Sequence, residues 1–505
     1  MIANRHLRTA CTDGALARMS RAASAAALIA TAALTASLAT PSTAHAAATV
    51  TIINGNAAGV GFNDPTPVAP VGGNPGTTLG QQRLLAFQEA ANIWGATLNS
   101  TVQIKVLATF EALSCTATSA TLGSAGPITV SRDFPEAPFA GTWYHAALAN
   151  ALSGIDRVPT PASSDPDIRA RFNVNLGQPT FLAGAPFYLG LDANEGTAVD
   201  LVAVLLHEFG HGLGFSTTTN GQNGAFFGSV AAGFFPSAYD HFLIDQTLNL
   251  LWVDMTDAQR AASAINTRRL SWNGANVTAN VPNVLALGTP ELAATAPASI
   301  VNTYLVGTAA FGPLLTASGT SGEVMPVVDQ ANGTGLACTP LSAANAAAVN
   351  GKIALIDRGV CGFVDKVKNA QNAGATGVII VDNVAGSPPP DLGGADPTIT
   401  IPAVRITLAD GNTFKNALRF RSRTKSGVLV NMKLNMAVYA GADPLGRALM
   451  YTPNPFAGGS SVSHYDTSAR PNLLMEPAIN RDLTHSVVPN ADLTFPLLRD
   501  LGWNP

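Results

Sequence analysis

Two histidines with a glutamate between them, in His207-Glu208-Phe-Gly-His211, are the residues whose types and spacing most directly suggest chemistry. A separation of four puts both imidazoles on one side of a helix, one turn apart. There two ring nitrogens can meet one Zn²⁺ at about 2.0–2.1 Å each. Glu208 falls beside them, within reach of a water on the ion but not of the ion itself. Zinc brings the pKa of such a water down towards 7, and a carboxylate that takes its proton acts as general base for attack on a carbonyl. Without a metal, the same residues would leave two imidazoles and a carboxylate unpartnered on an apolar helix, which is costly.

A catalytic zinc usually takes a third protein ligand. After residue 46 the other histidines are His145, His241, His464 and His485. A metzincin would place its ligand six residues beyond His211; Gly214 fits that pattern, but the ligand position is Thr217. Asp240 or His241, in Tyr-Asp-His-Phe, stands where a gluzincin-like site supplies an acid, but nothing nearby resembles the glutamate-bearing helix of such sites. His241 reads as a partly buried helix or strand residue and His485 as an exposed one. His464 lies in Gly458-Gly-Ser-Ser-Val-Ser-His-Tyr-Asp466, shortly before Leu473-Leu-Met-Glu-Pro477. Here the chain resembles leishmanolysin-type metzincins, in which a long insertion separates the HExxH helix from a distant third histidine and a Met-turn. The resemblance implies that His464 completes a site with His207 and His211, that Met475 lies under the metal, and that Glu208 is the general base. The chain departs from the family at Tyr465, where tryptophan is frequent.

The elements that must hold these groups can be read from periodicity. Thr197 and Asp200 have capping-box spacing ahead of an apolar run, so a buried helix is expected to begin there, carry the motif near its end, and stop at Gly212 and Gly214. Leu84, Phe87, Ala91, Trp94 and Leu98 recur at steps of three and four and predict a helix with one apolar face. Residues 49–53, 101–110, 171–175 and 187–191 read as strands; 115–165 reads as loop. The tail from Leu497 to Trp503 resembles the closing helix of secreted bacterial proteases of this kind.

Between the two pieces of the site the pattern changes. Residues 351–357 and 376–382 read as strands around a helix that puts Val364, Val367, Ala370 and Ala373 on one face. No GxGxxG or P-loop accompanies this βαβ unit, so nucleotide binding is unsupported. The strings Gly351-Lys-Ile-Ala-Leu-Ile-Asp-Arg-Gly-Val-Cys-Gly-Phe363, Asn369-Ala-Gln-Asn-Ala-Gly-Ala375 and Ile401-Pro-Ala-Val404 closely resemble a protease-associated (PA) domain. The resemblance implies a module that carries no catalytic groups and binds protein or gates substrates. It also implies a disulfide between Cys338 and Cys361, which are the nearer pair among the three cysteines after residue 46. Cys115 is then expected to be a buried free thiol.

The N-terminus reads as a leader. Arg5, Arg8, Arg18 and Arg21 precede an apolar stretch from Ala22 to about Leu38, and Ala44 and Ala46 form an A-x-A cleavage pattern. Export to the extracellular space or periplasm follows, where a disulfide persists. The net charge is −4, with no basic block, which disfavours nucleic-acid partners; no second apolar run is long enough for a membrane anchor. Charged residues make up 12% against 47% hydrophobic, the balance of a chain that folds around sizeable cores.

The expectation is therefore an α+β fold: a leader over 1–46, a zincin-like catalytic domain (mixed sheet plus active-site helix) over 47–299 and 439–505, and an α/β PA domain inserted at 300–438. The expected activity is zinc-dependent endopeptidase action on protein or peptide substrates. A non-catalytic protein-binding module with a structural zinc site and an aminopeptidase are the alternatives. Nothing in the sequence supports structural Ca²⁺.

Overall fold

The computed structural model describes residues 47–157 and 165–504. The leader expected over 1–46 lies outside them. The described residues form a mixed α/β fold in which two separate sheets organise separate cores. The first sheet has four strands, in the order Val50–Asn54, Ile104–Glu111, Ile168–Asn173, Gly123–Pro127. The first three run parallel, and Gly123–Pro127 is antiparallel at the edge. β-branched and aromatic residues alternating along 104–110 put Ile104, Val106, Ala108 and Phe110 on the buried face.

A long helix, Leu79–Thr97, covers that face. Thr78 and Gln81 form a capping box at its start. Phe87, Ala91 and Trp94 are buried as the spacing requires, but Leu84 is 40% exposed, so the apolar stripe is turned by one position and includes Ala86 and Ala90 instead. Phe87 sits among Phe62, Phe110, Phe172 and Phe209, with ring centroids 4.7–6.1 Å away. Trp94 Nε1 donates to the Leu206 carbonyl at 3.2 Å and so ties this helix to the one that carries the HExxH motif. The tail forms the helix Thr494–Leu501; beyond it Trp503 Nε1 donates to the Leu213 carbonyl at 2.9 Å. The stretch expected to be loop contains, among its described residues, the edge strand Gly123–Pro127, the short paired strands Val130–Ser131 and Tyr144–His145, and the helix Ala146–Ser153.

The second sheet has eight strands, in the order Asn302–Leu305, Leu287–Ala296, Leu429–Tyr439, Thr320–Pro326, Ile353–Asp357, Gly377–Val381, Ala403–Ile406, Gly307–Thr308. Its parallel centre contains the βαβ unit, with the helix Phe363–Asn372 between Ile353–Asp357 and Gly377–Val381. Ile353 and Leu355 face one core while Ala354 and Ile356 face another, which is why these strands read as unbroken apolar runs. The sheet takes in Leu287–Ala296, upstream of the start at 300 expected from the sequence, because that strand pairs with Leu429–Tyr439 along nearly its whole length. Cys338 and Cys361 are bonded, with Cα atoms 5.7 Å apart. Cys115 is free, but it is partly exposed in a loop rather than buried. Among the described residues no helix is long and apolar enough to cross a membrane.

Candidate metal centre

The motif lies on the helix Leu201–Leu213, every residue of which is buried. The cap is Asp200 alone, not a box opened by Thr197. Its Oδ1 accepts the N–H groups of Val202 (2.8 Å) and Ala203 (3.2 Å). A carboxylate here satisfies amides that the helix leaves unpaired and faces the positive end of its dipole. His485, expected to be exposed, instead places Nε2 2.7 Å from Asp200 Oδ2, with its side chain 14% exposed.

Of the two glycines expected to stop the helix, one does something else. Gly212 is helical, and a Cβ there would come within 2.5 Å of Ile168, so its role is to let the helix lie against the central strand. The stop is Gly214, at φ +131°. Gly210 permits an equally close approach from below: a Cβ would meet Met475 Sδ at 2.9 Å. Met475 is fully buried at that spot.

The structure brings His207, His211 and His464 together. His211 Nε2 lies 3.1 Å from His207 Nε2 and 3.2 Å from His464 Nε2. Each ring has its other nitrogen on a backbone carbonyl: His207 Nδ1 on Leu474 at 2.7 Å, His211 Nδ1 on Phe215 at 2.7 Å, His464 Nδ1 on Ser460 at 2.8 Å. A carbonyl only accepts, so each Nδ1 carries the proton and donates, and each neutral ring turns an Nε2 lone pair inward. Burial pushes His207 down to about 4 and, with His207 as neighbour, His464 down to about 3; burial, with both neighbours, holds His211 well below its ordinary value. Three neutral imidazoles with converging lone pairs repel one another unless a cation lies between them. This donor set fits a divalent ion such as Zn²⁺, with carbonyls orienting the rings.

Glu208 lies next to the cluster, under the edge strand. Burial pushes its carboxyl up to about 8, against a smaller opposing pull from the Ala125 N–H. A Cβ at Gly123 would stand 3.0 Å from Glu208 Oε1, so this strand can pass so close only with glycine there. Gly-Ser-Ala-Gly-Pro carries no alternation and few strand formers, which is why sequence reasoning missed it.

The remaining candidates fall outside the cluster. Asp240 is fully buried and accepts from Ser237 N–H and Oγ (both 2.8 Å), Thr217 Oγ1 (2.5 Å) and Thr219 Oγ1 (2.8 Å), which uses up its oxygens. His241 stacks on Phe139 at 4.1 Å and pairs with Thr142 at 2.9 Å. His145 is buried behind His211, near Ser216. Thr217 serves to hold the distant segment, since its N–H donates to Ser463 Oγ at 3.2 Å. That segment is further fixed by Tyr451 N–H on the His464 carbonyl (2.8 Å) and Tyr465 N–H on the Met475 carbonyl (2.9 Å). Tyr465 itself is buried against Phe215, not on a substrate-facing surface. Val462, two residues before His464, adopts φ +73°, a conformation costly for a β-branched residue. It is held there by its N–H on the Tyr451 carbonyl and its carbonyl on Tyr239. The cluster opens into a cleft of about 900 Å³, whose walls include residues 119–125 and 476–481 together with Gly458, Gly459, Ser460 and Ser463.

Comparison with known proteins places a PA domain at residues 320–414. Over 117 residues the chain is 28% identical to the minor extracellular protease Vpr of Bacillus subtilis, covering 23% of this chain and 14% of that protein. It is 47% identical over 68 residues to the C5a peptidase of Streptococcus pyogenes, covering 14% and 6%. It is also 36% identical over 83 residues to the ER degradation-enhancing alpha-mannosidase-like protein 3 of Xenopus laevis, covering 15% and 9%. The chain thus spans a seventh or less of the length of these relatives. Among solved structures, BSAP, a zinc aminopeptidase from Bacillus subtilis, matches 32% of this chain and 36% of its own, at 22% identity and a TM-score of 0.21.

Proposed function

We propose that this chain is an exported zinc-dependent endopeptidase of the leishmanolysin-type metzincin kind, with a PA domain inserted between its second and third metal ligands. The observation that carries the reading is the convergence of three Nε2 lone pairs, each ring fixed by a carbonyl on its far side. His207, His211 and His464 would hold the ion. Bound there, Zn²⁺ supplies Lewis-acid polarisation of a scissile carbonyl and lowers the pKa of water.

The chain's own groups do the rest. Glu208, beside the cluster, takes a proton from the attacking water and returns it to the leaving amine. Its buried carboxyl is neutral near pH 7 by itself, and a dication held by the three rings would favour the carboxylate that a base must be. The edge strand Gly123–Pro127 borders the cleft and can align an extended peptide by main-chain hydrogen bonds. The test is Glu208→Gln. The variant is expected to keep zinc and lose casein hydrolysis, and equal hydrolysis by variant and wild type would remove the proposed base.

A further inference from the structure

A second cleft, of about 490 Å³, lies between the inserted sheet and residues 451–470. That volume is in the range of ligand-binding clefts, roughly 300–1,000 Å³. Four arginines line it: Arg268, Arg358, Arg405 and Arg470. Their carboxylate partners number three. Arg268 meets Asp466 at 3.2 Å, Arg470 meets Asp391 at 3.3 Å, and Asp382 serves two guanidinium groups, with Arg358 at 2.9 Å and Arg405 Nε at 2.9 Å. One positive charge is therefore left over, at the place where two arginines share one carboxylate. Burial alone would raise the Asp382 carboxyl, yet those two neighbours hold it below its ordinary range. Arg405 and Asp382 are 5% and 6% exposed and belong to the wall, while Arg358 is 37% exposed and presents its guanidinium to the opening.

Much of the remaining wall is proline, at 290, 388, 389, 390, 453 and 455. Proline offers no N–H and a stiff backbone, and the cationic donors in this cleft are all guanidinium groups. Guanidinium groups match carboxylates in planar, two-pronged hydrogen bonds. The cleft is tied to the metal centre through the backbone. Tyr451 lines it, and the Tyr451 N–H is the group that donates to the His464 carbonyl. Ser387 and Asn454 close one end with a pair of backbone hydrogen bonds, both 2.7 Å, between the inserted segment and the segment that leads to His464.

We infer that this cleft is an exosite for an acidic stretch of the polypeptide substrate, held apart from the bond that is cut. The inference rests on the peptidase reading for its substrate class, and its test does not need turnover. Fluorescence anisotropy of a labelled hexaglutamate peptide on the full chain, before and after chelation, is the measurement. Binding is expected to survive chelation and to weaken tenfold or more in Arg358→Glu. Arg358→Gln, which keeps side-chain bulk, should weaken it several-fold and covers the case in which the glutamate variant does not fold. Arg423→Glu, the same charge change at an exposed position of the inserted segment, should leave binding as it was. Unchanged binding in both Arg358 variants would overturn the assignment. So would loss of binding on chelation, which would place the carboxylate at the metal, or equal weakening by Arg423→Glu, which would make the attraction diffuse. Casein left uncut by a protein that still binds hexaglutamate would count against the peptidase reading alone.

Discussion

Glu208→Gln should stabilise the metal-free protein, and the amount should depend on pH in a defined way. In the fold, burial lifts the Glu208 carboxyl from 4.5 to about 8. Below pH 4.5 both folded and unfolded chains hold the proton, so the group costs nothing. As pH rises from 4.5 to 8 the unfolded chain has released the proton and the folded chain has not, and stability falls; above 8 the loss is constant. At pH 7.5 the gap is about three pH units, or about 4 kcal/mol at 1.36 kcal/mol per unit. At pH 5 it is below about 1 kcal/mol. Glutamine is neutral, nearly isosteric, and can still accept from the Ala125 N–H, so it escapes this cost. Urea unfolding in excess chelator, at pH 5 and 7.5, reads the difference directly. The variant should be clearly more stable than wild type at pH 7.5 and nearly equal at pH 5. With zinc present the advantage should shrink, because a dication favours the carboxylate. A variant no more stable than wild type at pH 7.5 without metal would refute the reasoning that this carboxyl is buried against its charge.

His464→Ala should lower bound zinc well below one ion per chain, measured by atomic emission after dialysis; full retention would give the third place to another group. Gly210→Ala adds a methyl within 2.9 Å of Met475 Sδ; overpacking of about 1–3 kcal/mol, offset by the roughly 0.5–1 kcal/mol that alanine gains over glycine inside a helix, leaves a net loss of about 2 kcal/mol or less; thermal unfolding checks it, and a more stable variant would mean that Met475 moves freely. Asp200→Ala removes the oxygen that accepts from two amide N–H groups, and the His485 contact, at the start of the motif helix. It should destabilise the chain by about 0.5–2 kcal/mol through the cap alone, read by the same unfolding assay.

The sequence and the structure diverged at definite places, each for a physical reason. Periodicity located the helix Leu79–Thr97 but misassigned Leu84, because burial depends on what lies opposite and not on spacing alone. Spacing suggested a capping box at Thr197, while the backbone starts the helix at Asp200, whose short carboxylate reaches two amides by itself. Gly212 looked like a helix stop, yet it is a contact point with Ile168, a residue forty-four positions away that no local pattern reveals. The edge strand beside Glu208 had no signature, since its conformation comes from pairing with Ile168–Asn173 and not from its own small residues. His485 looked like a surface residue until the fold set it against Asp200.

The sequence by itself determined the local chemistry. A spacing of four on an apolar helix puts His207 and His211 on one face with Glu208 beside them, because helical geometry is the same wherever the helix lies. It likewise determined the βαβ pattern of residues 351–382, which follows from two unbroken apolar runs flanking a segment of helical period. Only the tertiary structure decided that His464, more than two hundred and fifty residues downstream, comes within 3.2 Å of His211. It also decided that the carbonyls of Leu474, Phe215 and Ser460 turn all three rings the same way. Such long-range placement is set by packing, by the close approach allowed at Gly210 and Gly212, and by backbone hydrogen bonds between distant segments, none of which has a periodic trace in the chain.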